Sequence, residues 1–281
     1  MMKNFMGKPI LVSTFLLVVL ILNSRPITSQ EVEDQREFDY LRGSGKGPEN
    51  WGDLHEEWAA CKNGTLQSPI DLLHERVEVV PELGKIKKSY KPANATIKNR
   101  GHDITLHWGI GSAGSIQING TEYALDQCHW HSPSEHTING KRFALELHMI
   151  HRNLELNKTA VIGVLFNIGG HDSFLSELKK DIWNIADTDG AEVNIGVVDP
   201  RHIKIGGRKY YRYLGSLTTP PCTEGVIWTI NKRLRTVSKE QVMLLRRAVH
   251  DDSENNARPV QPLNDRDILF YGPKHRHYQH Y

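Results

Sequence analysis

Apolar and polar positions alternate most regularly between Gln127 and His151, in the run Q-C-H-W-H-S-P-S-E-H-T-I-N-G-K-R-F-A-L-E-L-H-M-I-H. Side chains of a strand face alternate ways, so Gln127, His129 and His131 share a face. Asn139-Gly140 is a tight-turn signal. From Phe143 the alternation resumes, with Ala144, Glu146, His148 and Ile150 on one face and Phe143, Leu145, Leu147 and Met149 on the other. A second strand folded back beside the first brings His148 to His129 and His131. Further β-like runs fall at 77–80, 104–108, 115–118, 121–125, 160–166 and 226–230, parted by Gly and Asn. Two stretches read as helices. Residues 174–186 follow a cap at Asp172 or Ser173, and 238–250 open on a Ser238/Gln241 capping box before Val242, Leu245 and Val249. Many strands and few helices predict a mainly β fold, a meandering, mostly antiparallel sheet with peripheral helices. No internal repeat is present.

The first 29 residues follow another pattern. Lys3 and Lys8 precede an apolar run at 10–22, which is short for a bilayer span, and polar sequence follows with a cut near Ser29. This predicts a secretory signal peptide at 1–29. No other stretch is long enough to cross a membrane. Without Lys3, Lys8 and Arg25, 32 of the 35 bases remain against 33 acids. A near-neutral mature chain argues against a nucleic-acid partner. The remaining length, about 250 residues, suits one large β domain.

An oxidising compartment changes the reading of the cysteines. Cys128 lies between strand residues that face the histidines and points away from them, as a small buried hydrophobe does. Cys61 and Cys222 are left to form a disulfide. Sequons at Asn63, Asn94, Asn119 and Asn157 are candidate glycosylation sites for the same compartment. The extracellular space is the expected destination, with a plastid reached by the secretory route as the second. Residues 31–46, charged and Gly-bearing, read as a loosely attached arm, and the His/Tyr-rich end, 275–281, as a tail. Trp51, after the turn residues 47–50, reads as an aromatic anchor.

With 15 histidines an H-x-H pair arises by chance. What distinguishes this one is the company of Gln127, two residues before His129, and Glu146, two before His148. Metal-bound imidazoles pass their second N–H to such acceptors. Three converging imidazoles predict a zinc site with the fourth tetrahedral position left for water.

Six segments in this order resemble the alpha-class carbonic anhydrases, in a form similar to plant members: G-P-E-N-W (47–51), Q-S-P-I-D (67–71), N-R-G-H (99–102), the H-W-H…S-E-H-T…E-L-H region (129–148), G-S-L-T-T-P-P-C (215–222) and N-A-R-P-V-Q-P-L (256–263). The resemblance covers about 38–271, which bounds the domain, with an arm at 30–37 and a tail at 272–281. It implies a single domain built on a large twisted, mostly antiparallel sheet with Zn²⁺ at the base of a cleft. The activity implied is reversible hydration of carbon dioxide to bicarbonate by zinc-bound hydroxide. Residue by residue, His129, His131 and His148 match zinc ligands, and Gln127, Glu146 and the Asn256 backbone match their supports. Thr218 matches the residue that donates to Glu135 and accepts from the hydroxide, and Thr219 its neighbour in the substrate pocket. Ile150, Val161, Leu217, Val226 and Trp228 match the apolar wall for CO₂.

His102 matches the proton shuttle. Arg100 and Thr105 stand where asparagines are common in the family, and a nearby Arg⁺ is expected to favour the neutral imidazole of His102, giving a working shuttle with altered pH dependence. A cupin reading, from His129, His131 and Glu135, lacks its second motif downstream. A secreted storage or binding protein of the same fold is the other alternative, and esterase activity would be a side reaction of the same site. The chain is expected to be monomeric, or a dimer if Cys128 is exposed.

Overall fold

The computed structural model describes residues 37–205, 208–249 and 253–272. The expected signal peptide, residues 30–36 of the expected arm and the expected tail beyond Gly272 lie outside the described residues. Ten strands make the main path of one large open sheet. They are β1 (Val77–Val79), β2 (Ala93–Asn99), β3 (Ile104–His107), β4 (Thr121–His131), β5 (Leu145–Asn153), β6 (Lys158–Ile168), β7 (Glu192–Val198), β8 (Tyr210–Ser216), β9 (Glu224–Asn231) and β10 (Ile268–Tyr271). Side by side they run β7-β2-β3-β4-β5-β6-β9-β8-β10-β1. The pairing is antiparallel except at β6–β9 and β10–β1, which are parallel. The sheet is mainly β and mostly antiparallel, as the pattern predicts, and it does not close into a barrel. Ser115–Ile118 is a short strand beside β4.

The central strands are covered on both faces. On one face Cys128, Trp130, Leu147, Met149, Ile162 and Val164 pack with the helices α1 (Ser173–Asn184) and α2 (Lys239–Ala248) through Phe174, Leu178, Ile182, Val242 and Leu245. On the other, Ile150, Val161, Leu217, Val226 and Trp228 join Ile70, Tyr211 and Tyr213. That two-sided burial explains why 160–166 reads as a continuous apolar run rather than an alternation. The Asp172 carboxylate caps α1 by accepting from the Leu175 N–H at 3.0 Å. Ser238 and Gln241 form the capping box of α2. Both helices start where the sequence predicts.

Two expectations are corrected. Residues 38–46 are not a loose arm. Phe38 is buried against Trp51 and Trp58, and the Trp51 indole N–H is held by the carbonyls of Asp39 and Lys46 at 3.1 and 3.0 Å. An aromatic cluster outweighs the charged, Gly-rich composition. The Asn139-Gly140 turn does not join β4 directly to β5. It closes a small hairpin, Thr137–Ile138 with Lys141–Arg142, that pairs with Asp71–Leu72 in a separate three-stranded sheet. Both turn residues have positive φ, 49° and 75°, as a type I′ turn requires.

Cys61 and Cys222 form the expected disulfide. Cys128 is fully buried, and burial pushes its thiol well above the usual range, so it is out of reach of a second chain. All four sequon asparagines are exposed. Among the described residues, no helix is long and apolar enough to cross a membrane.

Candidate metal centre

Register brings the histidines together. His129 on β4 lies opposite His148 on β5, and His131 lies opposite Glu146. The three rings sit 5.0, 5.2 and 4.6 Å apart between centroids, all buried. One ring nitrogen of each lies within 4.8 Å of the others.

The remaining ring nitrogens are all held by acceptors. His129 Nδ1 meets Gln127 Oε1 at 2.9 Å, His131 Nδ1 meets the Asn256 carbonyl at 2.7 Å, and His148 Nε2 meets Glu146 Oε1 at 2.9 Å. Carbonyl and carboxylate oxygens only accept, so each of these nitrogens carries its proton. In the neutral imidazoles that a metal ion requires, this leaves the lone pairs of His129 Nε2, His131 Nε2 and His148 Nδ1 for the point of convergence. His131 Nε2 is buried with no hydrogen-bond partner among the described residues. A buried acceptor nitrogen without a partner is costly unless something binds it. The donor set therefore fits a divalent cation that prefers imidazole.

Glu146 anchors more than His148. Its Oε1 also meets His136 Nδ1 at 2.7 Å, and its Oε2 accepts the backbone N–H groups of Glu135 and His136 at 2.9 and 2.8 Å. Burial alone would raise this carboxyl, but the imidazoles of His136 and His148 outweigh it and hold it well below the usual carboxylate range. His136 continues through Nε2 to the Tyr213 hydroxyl at 2.6 Å, which meets Ser68 Oγ at 2.8 Å. Sequence reasoning passed over His136 and Tyr213. The signal for His136 was present, since it sits inside the S-E-H-T segment beside Glu135.

Thr218 and Thr219 are buried in the loop before Cys222. The expected Thr218-to-Glu135 hydrogen bond is not formed. Glu135 Oε1 accepts from the Arg258 N–H at 2.9 Å, and its Oε2 has no hydrogen-bond partner among the described residues. Glu135 Oε1 also lies 3.7 Å from His131 Nδ1, on the side away from the convergence point, which leaves no cupin-like carboxylate ligand. The five expected wall residues form part of one buried cluster, and the Trp228 ring lies 4.8 Å from that of His148.

His102 is buried, 1% exposed. Its ring lies 5.1 Å from that of Phe38. The expectation that Arg100 biases it is corrected by Asp103. Arg100 Nε donates to Asp103 Oδ1 at 2.8 Å, and a second contact joins Nη2 to Oδ2. Thr105 Oγ1 donates to the same carboxylate at 2.9 Å. Burial acts to raise Asp103, but Arg100 and the neighbouring imidazoles hold it well below its ordinary value. Asp103 Oδ2 lies 3.7 Å from His102 Nε2, so the guanidinium is matched before it reaches the imidazole.

The fold and site are thus those of an open, mostly antiparallel sheet carrying three buried, acceptor-oriented imidazoles that could hold a metal ion. Residues 46–272 match the eukaryotic-type carbonic anhydrase family, and the chain belongs to it. Alpha carbonic anhydrase 7 of Arabidopsis thaliana is 54% identical over 92% of this chain and 93% of its own length. Dioscorin DB3L of Dioscorea polystachya is 48% identical, with 91% of each covered. A crystal structure of dioscorin complexed with ascorbate superposes with a TM-score of 0.80 at 45% identity, covering 83% of this chain and 97% of that one.

Proposed function

We propose that this chain is a zinc enzyme catalysing the reversible hydration of CO₂ to bicarbonate. The observation that carries the reading is the set of three lone pairs, His129 Nε2, His131 Nε2 and His148 Nδ1, each aimed by an acceptor on its other nitrogen. When bound, zinc supplies the acidity that turns water into a nucleophile at neutral pH, its established role in this family. Gln127, Glu146 and the Asn256 carbonyl hold the rings in one tautomer. Ile150, Val161, Leu217, Val226 and Trp228 offer uncharged CO₂ an apolar wall. Thr218 and Thr219 stand at the substrate, and Glu135 Oε2, buried without a hydrogen-bond partner among the described residues, would orient Thr218 once the Thr218 hydroxyl turns to it. His102 relays the proton outward, which from its buried position requires the ring to move or water to reach it. The disulfide and the four exposed sequons support passage through the secretory route.

Two observations favour a second reading, a secreted binding or storage protein of the same fold: the missing Thr218–Glu135 hydrogen bond and the dioscorin relatives. One experiment separates them. Zinc content and CO₂ hydration are measured on purified wild type and His131→Ala. The enzyme reading expects one zinc per chain and hydration in wild type, with both lost in the variant. Zinc without hydration selects the second reading, and a folded wild type with neither removes the metal centre.

A further inference from the structure

A cavity of about 350 Å³ opens on the side of the sheet away from the histidines. On β8, Tyr211 and Tyr213 belong to the cluster that holds Trp228, so the alternate residues Arg212 and Leu214 face the other way. Leu83, Ile118, Leu214, Ile227 and Leu269 supply an apolar lining, and Arg212 and Arg266 supply charge.

Arg212 is 8% exposed. Its Nε donates to Thr229 Oγ1 at 3.0 Å, its guanidinium lies 5.0 Å from the Tyr210 ring centre, and no carboxylate pairs with it among the described residues. Burial lowers its pKa, the direction expected of a cation short of a counter-charge. Arg266, equally buried, is engaged by the carbonyls of Leu263, Leu214 and Pro262 and by the Tyr213 ring, and the Glu224 carboxylate acts on it from a distance, so Arg212 is the guanidinium left without an acid among the described residues. Asp267 is the one acid of the lining. It is exposed and forms no ion pair with either guanidinium. A buried charge without a partner costs several kcal/mol, and a guanidinium matches an oxyanion in two parallel hydrogen bonds.

We infer that this cavity is a binding site for a small organic carboxylate, its head on Arg212 and its apolar body against Leu83, Ile118 and Leu269. The volume is that of a small-molecule pocket. Asn119 at the rim is a glycosylation candidate, but a sugar there is neutral and leaves Arg212 unmatched.

The test titrates the ¹⁵N-labelled full chain with benzoate and, separately, with inorganic phosphate. The readouts are the Arg212 Nε–H resonance, identified by its loss in Arg212→Gln, and calorimetry. Saturable benzoate binding that shifts this resonance, survives His131→Ala and weakens tenfold or more in Arg212→Gln supports the site. Leu214→Trp, at an exposed rim position, should weaken it too and serves if the arginine variant does not fold. Benzoate binding unchanged in both variants, no shift at all, or a response to phosphate alone overturns it.

Discussion

Asp103 shows how one side chain can change the reading of its neighbours. From sequence, Arg100 is a cation near His102. In the fold it is the partner of a fully buried carboxylate. The folded pKa of Asp103 is depressed, so its stabilisation is present above the ordinary value of 3.8 and lost as pH falls below it. Arg100→Met leaves that charge buried and unpaired, which costs about 3–5 kcal/mol at pH 7. The deficit against wild type should narrow as pH drops below about 4, where Asp103 can take up a proton. Urea unfolding of both proteins at pH 7 and pH 3.5 measures it. An equal deficit at the two pH values would show that Asp103 is not the group concerned.

Among the elements, β4, β5 and β6 do the positioning. Residue spacing already showed that His129 and His131 share a face. Which residue of β5 stands opposite which of β4 depends on the ladder, and the hairpin turn that seemed to set it belongs to another sheet. Gly163 on β6 pairs with His148. A Cβ there would meet Ile230 Cδ1 at 2.5 Å and Glu146 Oε1 at 3.1 Å. Gly163→Ala should therefore cost about 1–3 kcal/mol of stability, the usual penalty for overpacking. Because the same methyl presses on the acceptor of His148, it should also weaken zinc retention by about tenfold or more. Chelator competition reads the second effect. Stability loss with unchanged zinc affinity would mean that Glu146 adjusts without moving His148.

Across the whole molecule, the Cys61–Cys222 link spans 161 residues and ties the loop that carries Thr218 and Thr219 to the Phe38–Trp51–Trp58 cluster. Closing so long a loop restricts the unfolded chain, so removing the bridge should cost about 4–5 kcal/mol. Cys61→Ser/Cys222→Ser should melt well below wild type, and wild type in reductant should approach it. Buried Cys128 offers no replacement partner, so scrambled disulfides are not expected without unfolding.

Some of this was legible without coordinates because it is local or periodic. The two helix caps, the strand faces, the turn of Cys128 away from the histidines and the pairing of Gln127 with His129 follow from spacings of one to four residues. The six family segments extended that reading to Asn256 and the Thr218 loop. What only tertiary structure decided are contacts between distant residues whose types are ordinary: His136 on Tyr213, Arg258 on Glu135, Phe38 over His102, and Arg212 beside a largely apolar cavity, with no carboxylate paired to it among the described residues. A strand pattern says which way a side chain faces, but what it meets there is set by strands far away in sequence. The charge and burial of a polar group depend on that partner.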